Sequence, residues 1–214
     1  MSHALLFGNH LAAQSRSRLN FLWSKVFQQL HLGFVEMLDA DKRGAIGVGF
    51  PKHSADGKRL GLGDKCRLFA EDETTLERFA APQRLARLSD YVHCTGIRPV
   101  PDKLLGYAVY RRVQPKTNPK RLARRYAKRH GVDLATALNM TVELRAAGEN
   151  PAYPLSFRYC DMLKPSVALP FIRLQSLSGG QTFCLWISKT ATADPVVGSF
   201  SAYGLSSVAT VPEF

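Results

Sequence analysis

The sequence predicts an α+β fold, and three observations carry that prediction. Short β-rich runs and helix-period stretches alternate over the first hundred residues in the order β, α, β, β, α, β. Residues 110–131 hold nine Lys or Arg and no acid, between helix-start and helix-stop signals. Residues 169–188 form two β-rich runs around Ser178, Gly179 and Gly180, the pattern of a hairpin. The first of these patterns is that of a ferredoxin-like sheet. An N-terminal ferredoxin-like domain over residues 1–105 is therefore expected to precede a C-terminal domain over residues 106–214 built on a basic helix and a hairpin.

Taken in order, Ala4, Leu5, Leu6 and Phe7 offer a brief strand followed by a polar, irregular run, so the first strand of the sheet is left open. Between residues 16 and 38, Leu19, Leu22, Trp23, Val26, Phe27, Leu30 and Phe34 recur with helical period and make one broad apolar face. His31 lies on the edge of that face, one turn past Phe27. Taken alone, it reads either as a partly buried structural side chain or as a catalyst. Residues 44–51, GAIGVGFP, read as a strand, and residues 60–70 supply the next, with Cys66, Leu68 and Ala70 alternating. Glycines in these strands mark bulges or close backbone approach. Residues 71–90 form a second helix on Leu76, Phe79, Leu85 and Leu88, which Pro82 breaks or bends. Residues 91–100 close the sheet, and Pro99, Pro101, Asp102 and Gly106 make residues 99–106 a linker.

In the basic segment, Thr117 and Asn118 offer capping oxygens, Pro119 suits a first helical turn and Gly131 a left-handed close. A helix of about three turns follows. Arg121, Arg124, Arg125, Lys128 and Arg129 then share one face, while Leu122 and Tyr126 point elsewhere. The segment supplies nine of the chain's formal +12 charges. Such a face repels itself; it is either a solvated basic helix or a surface for a polyanion, and its arginine-rich concentration favours nucleic acid. Arg112 and Gln114, two apart and on one face if extended, are both base-reading side-chain types. Residues 132–147 read as a second, less basic helix and residues 148–154 as a turn-rich loop.

Composition narrows the rest. With 214 residues and 45% hydrophobic content the chain can fill a core, as one compact unit or two small domains. No apolar run reaches bilayer length and no leader pattern opens the chain, which reads as cytoplasmic. Cys66, Cys94, Cys160 and Cys184 form no C-x-x-C pair, arguing against a zinc finger or a disulfide framework. Phosphate-loop, HExxH and paired-acid motifs are lacking, so neither a metal site nor a cofactor is expected.

The run Arg112, Val113, Gln114, Lys116, Asn118, Pro119, Arg121, Leu122, Arg124, Arg125, Arg129, His130 closely resembles the arginine-rich helix of the CRISPR repeat-processing endoribonucleases of type I-F (Ypest-subtype) systems. VFQQLHLGFVEM is similar to that family's first helix and GAIGVGFP to its I-G-V-x-F-P strand. Residues 169–183 are similar to its L-P-F-x-x-L-x-S-x-S-x-G-Q-x-F hairpin, and FSAYGLS with VPEF to its closing pattern. Departures are the short opening strand and a longer loop at residues 39–43.

The resemblance implies a metal-independent endoribonuclease that binds the stem-loop of CRISPR repeat RNA. It would cut at the base of the stem, leave a 2′,3′-cyclic phosphate and a 5′-hydroxyl, and stay on the mature guide RNA within a surveillance complex of other subunits. RNA brings its own nucleophile, the 2′-hydroxyl, and needs a base to take its proton. By resemblance that base is His31, and a histidine, with an ordinary pKa of about 6.5, suits the task. Ser176 matches the serine that holds the attacking nucleotide, Ser178 the second serine of the motif, and Tyr203 the tyrosine beside the histidine. Phe183 matches the aromatic that stacks on the terminal base pair, and Arg112 with Gln114 the pair that reads bases at the foot of the stem. Lys116, Arg121, Arg124, Arg125, Lys128 and Arg129 would line the RNA, with Lys128 replacing an arginine. Read without the resemblance, Ser176 and Ser178 are turn residues, Tyr203 is a core aromatic and Phe183 an inward-facing hairpin residue. Two other functions fit the residues: a non-catalytic structured-RNA-binding protein, and a duplex-DNA binder using the same helix. Arg112 with Gln114, and Phe183, favour RNA.

Overall fold

The computed structural model describes residues 3–9, 16–56, 59–114, 119–144, 155–158, 169–176 and 179–214. In chain order the elements are β1 (His3–Asn9), α1 (Arg16–Glu36), β2 (Gly47–Gly49), β3 (Ser54–Asp56), β4 (Arg59–Gly61), β5 (Lys65–Ala70), α2 (Glu73–Phe79), α3 (Ala81–Arg84), β6 (Val92–Pro99) and β7 (Gly106–Val113). There follow α4 (Pro119–His130), α5 (Leu134–Asn139), β8 (Thr141–Leu144), β9 (Leu155–Arg158), β10 (Phe171–Gln175), β11 (Thr182–Thr192) and β12 (Val211–Glu213). The mixture of helices with antiparallel sheets is α+β, as predicted. Two compact units divide the chain: residues 1–114 with 169–214, and residues 115–168. The boundary expected at residue 105 falls within the first unit, next to β7.

The first unit holds two four-stranded sheets, ordered β2-β5-β1-β6 and β10-β11-β7-β12, and the small hairpin β3-β4. Every pairing in them is antiparallel. The opening strand that the sequence left open is formed and central: Ala4 pairs with Phe69 on β5 and with Arg98 on β6. β7 was not anticipated; GYAVYRRV follows the linker directly and buries Ala108 and Tyr110.

The periodicity of α1 is realised as packing. Leu22, Trp23, Val26, Phe27, Leu30 and Phe34 are buried, and Trp23 Nε1 donates to the Gly63 carbonyl at 2.8 Å. Phe50 is the hub of the core, with edge contacts to Trp23 and Tyr110 at 5.6 Å each and a stacked contact with Phe27 at 6.2 Å. Burying side chains of this size contributes about 1.5–3 kcal/mol each, and edge-on rings add directional preference. β2 passes so near the closing segment that a Cβ on Gly47 would lie 2.7 Å from Phe200 Cζ.

The single helix expected over residues 71–90 is broken into α2, α3 and a 3-10 turn at Ala86–Leu88. Asp72 caps α2 by accepting from Thr75 N at 2.6 Å, and Ala80, at φ +53°, ends it. Pro82 has no N–H with which to continue the ladder. The chain restarts around it.

The second unit packs Leu122, Ala123, Tyr126 and Ala127 of α4 against Val132, Leu134, Ala137 and Leu138. α4 ends at Gly131, whose φ is +66°, as the sequence predicts. The helix expected over residues 132–147 is corrected: α5 ends at Asn139 and Met140 turns extended. Thr141 and Val142 then pair with Arg158 and Phe157, and β-branched residue types favour strands over helices. Thr117 and Asn118, the proposed cap, and residues 148–154 lie outside the described residues. No helix among the described residues is long and apolar enough to cross a membrane.

Candidate active site

In the first unit a turn from the closing segment meets α1. Gly204 N donates to the Ser201 carbonyl at 2.8 Å, leaving Ala202 and Tyr203 as the central residues. The turn is pinned on both flanks. Val48 N donates to the Gly204 carbonyl at 2.8 Å, and Gly44 and Phe200 exchange backbone bonds of 2.7 and 2.9 Å. Gly204 has φ +66°, and a Cβ there would sit 2.2 Å from Val48 Cγ2, so the position admits only glycine without displacement.

This turn presents two groups to His31. The Ala202 carbonyl oxygen lies 2.6 Å from His31 Nδ1, and the Tyr203 ring stacks on the imidazole at 4.4 Å with 6° between planes. A carbonyl only accepts, so Nδ1 carries the hydrogen and donates it. In the neutral ring the lone pair is then on Nε2, the nitrogen able to take a proton. His31 is half-buried on α1 between Phe27, Leu30 and Phe34, which are buried and fix the helix beneath it.

Arg112 extends the stack. Its guanidinium carbon lies 5.1 Å from the Tyr203 ring centre and 5.8 Å from that of Phe183. Its Nε is buried without a hydrogen-bond partner among the described residues. His31, Tyr203, Arg112 and Phe183 thus form one continuous run of ring and cation contacts drawn from α1, the closing turn, β7 and β11. Arg112 is aligned by pairing with Ile187, and Phe183 by pairing with Leu174. Phe183 is partly buried and packs on the core. Gln114 is exposed just beyond β7.

Ser176 stands at the loop end of β10, along which α1 packs. It accepts from Gly180 N on its carbonyl at 2.9 Å and from Gly179 N on its Oγ at 3.3 Å, while its own N donates to the Gln181 carbonyl at 2.8 Å. Ser178 and Lys116 lie outside the described residues.

His53 is another half-buried histidine. Its Nε2 donates to the Ile187 carbonyl at 3.0 Å, and burial holds its pKa below the ordinary value. It lies edge-on to Tyr110 at 6.1 Å. The Tyr110 hydroxyl lies 2.9 Å from the Phe50 carbonyl and 2.7 Å from Glu213 Oε1, and burial, with Glu213, raises its pKa. Glu213 also pairs with Lys189.

In the second unit Arg121, Arg124, Arg125, Lys128 and Arg129 are all exposed on α4. Arg124, Arg125, Lys128 and Arg129 make no ion pair among the described residues. A helix face with this density of exposed cations carries a strongly positive potential. Among the described residues no group of three or more His, Cys, Asp or Glu side chains is gathered as a metal ion would need.

Sequence reasoning missed the Ala202 carbonyl and Gly204. The first is a backbone atom 171 positions from His31 and carries no residue-type signal. The second was visible only as the glycine of a Ser-Ala-Tyr-Gly turn.

The α+β chain thus carries an arginine-rich helix in one unit and, in the other, a histidine whose Nδ1 donates to a backbone carbonyl. Residues 10–214 match the family model described as CRISPR-associated protein (Cas_Csy4), and the chain belongs to that family. It is 32% identical over 195 residues to the CRISPR-associated endonuclease Cas6/Csy4 of Escherichia coli (strain UTI89 / UPEC). It is also 32% identical over 196 residues to the CRISPR-associated endonuclease Cas6/Csy4 of Pseudomonas aeruginosa (strain UCBPP-PA14). Each match covers 90% of this chain and 90% of the relative.

Proposed function

We propose that this protein is a metal-independent endoribonuclease that binds the stem-loop of CRISPR repeat RNA and cuts at the base of the stem. The observation that carries the reading is the His31 hydrogen bond to the Ala202 carbonyl, which leaves Nε2 as the proton acceptor. Membership of the family, and the names of two relatives alike over 90% of their length, support the endonuclease assignment. The strand order β2-β5-β1-β6, antiparallel throughout, supports a ferredoxin-like arrangement for the first sheet.

In the proposed reaction His31 Nε2 takes the proton of the 2′-hydroxyl, and the oxygen so freed attacks the adjacent phosphorus. The bond from phosphorus to the 5′-oxygen breaks, that oxygen takes a proton from water while His31 returns its own to solvent, and the products end in a 2′,3′-cyclic phosphate and a 5′-hydroxyl. Ser176 holds the attacking nucleotide, with Ser178 beside it in the hairpin motif, and Tyr203 holds the imidazole plane. Arg112 and Gln114 read bases at the foot of the stem, and Phe183 stacks on its last pair. Lys116, Arg121, Arg124, Arg125, Lys128 and Arg129 grip the hairpin, in the major groove near the end of a short stem, where an A-form groove is accessible. A grip of that strength supports retention of the product and membership of a guide-RNA complex with other subunits.

Incubation of a repeat hairpin with the purified protein in EDTA tests the reading. Cleavage at the stem base with cyclic-phosphate ends is expected. Tight binding without cleavage would assign the protein to the non-catalytic RNA binders.

A further inference from the structure

We infer that the solvent face of α1 carries a second RNA site, one for unpaired nucleotides running off the foot of the hairpin, with Phe21 as its stacking platform between Arg18 and Lys25. The inference rests on the function proposed above. Phe21 is 65% exposed, and Lys25 Nζ lies 5.3 Å from its ring centre. Arg18 and Lys25 are exposed too, at i−3 and i+4 from the ring, and so flank it on one helix face. Neither makes an ion pair among the described residues.

A single exposed phenylalanine is ordinary on a protein surface. Its setting here is not. From Arg16 to Val35 the sequence has no acid, and Glu36, the first, is occupied by Arg84 at 2.7 Å. The face therefore offers an aromatic plane and two cations that make no ion pair among the described residues, on a helix whose own sequence holds no acid before Glu36. Bases stack on such a ring whatever their identity, while cations track the backbone. A duplex keeps its base faces covered, so the ring selects unpaired nucleotides.

Position on α1 connects the face to the site. Phe21 and His31 share one rigid helix, ten residues apart, or about 15 Å along the axis and about 80° around it; Lys25 is about 9 Å along the axis from His31 and about 120° around it. A strand leaving the scissile position toward the N-terminus of α1 meets Lys25 and then Phe21.

The test uses hairpins made uncleavable by a deoxyribose before the scissile phosphate, either bare, or with a single-stranded extension on the 5′ side, or with one on the 3′ side. For the wild-type protein, one extension should raise affinity over the bare hairpin, and which one identifies the strand. Phe21→Ala should shrink that gain about five-fold or more, and Phe21→Trp should restore it. Lys25→Gln should lower the log–log salt slope by about 0.7 on the extended RNA. Equal affinity of the wild type for bare and extended hairpins, or an undiminished gain in Phe21→Ala, overturns the inference while leaving the proposed function standing. A wild-type protein that ignores the bare hairpin overturns that function and this inference with it. An RNA-free change of oligomeric state on Phe21→Ala would give the ring to a protein contact and overturn the inference.

Discussion

Replacing Gly204 with alanine should loosen the turn that addresses His31, and the structure sets the size of the effect. Gly204 has φ +66°, and a Cβ would meet Val48 Cγ2 at 2.2 Å and Phe34 Cζ at 3.1 Å. The left-handed backbone costs a non-glycine residue about 1–2 kcal/mol. Forcing a methyl into a packed core costs about 1–3 kcal/mol more, so the expected loss is about 2–5 kcal/mol. Gly180 is the control: its φ is +65° but its Cβ position meets nothing within 4 Å, so Gly180→Ala carries only the backbone contribution. With a urea slope of about 2 kcal/mol per molar, the midpoint should fall by about 1–2.5 M for Gly204→Ala and by about 0.5–1 M for Gly180→Ala. Urea unfolding followed by tryptophan fluorescence reads both. Where Gly204→Ala remains folded it should also cleave more slowly, because Ala202 and Tyr203 move with the turn. Equal midpoint shifts for the two variants would refute the reasoning that contact with Val48 holds the turn in place.

Three further outcomes are expected. Alanine at Arg125 and at Arg129 should each weaken hairpin binding and lower the log–log salt slope by about 0.7–0.9, measured by titration at several salt concentrations; unchanged slopes would remove α4 from the interface. Alanine at Arg112 or Gln114 should cost more discrimination at the base of the stem than affinity for unrelated RNA, and equal weakening on all RNAs would reassign them to backbone contacts. His53 has a folded-state pKa below the ordinary imidazole value of 6.5 because burial disfavours its charge. Below about pH 6.5 the unfolded chain binds a proton there that the folded chain does not, so stability falls as pH drops; the slope of stability between pH 7.5 and 5.5 should be smaller in His53→Gln than in the wild type.

The legible parts of this structure were those where a residue pattern and a local element coincide. α1 was readable because seven apolar positions share one helical face, and α4 because Pro119 and Gly131 bracket it. β7 was not, since Arg111 and Arg112 drew it into the basic segment and a run of Pro, Asp and Gly before it signalled a linker. β8 was hidden in the same way, because helix-compatible residues surround Thr141 and Val142 and their pairing partners, Arg158 and Phe157, lie further along the chain. The resemblance selected His31 from the sequence, yet the group that sets its tautomer is a backbone carbonyl, as legible at any other residue type. The stacking of Arg112 on both Tyr203 and Phe183 depends on two strand registers, which sequence periodicity does not fix.

The account stands on His31 as the base, and separating binding from chemistry tests it most directly. His31→Ala should bind the repeat hairpin with near-native affinity yet cut it at least about 100-fold more slowly, in EDTA as in magnesium. The wild type on a hairpin with a deoxyribose before the scissile phosphate should match it, bound and uncut, because the nucleophile is missing. Cleavage at the wild-type rate by His31→Ala, or cleavage of the deoxy hairpin, would contradict the account.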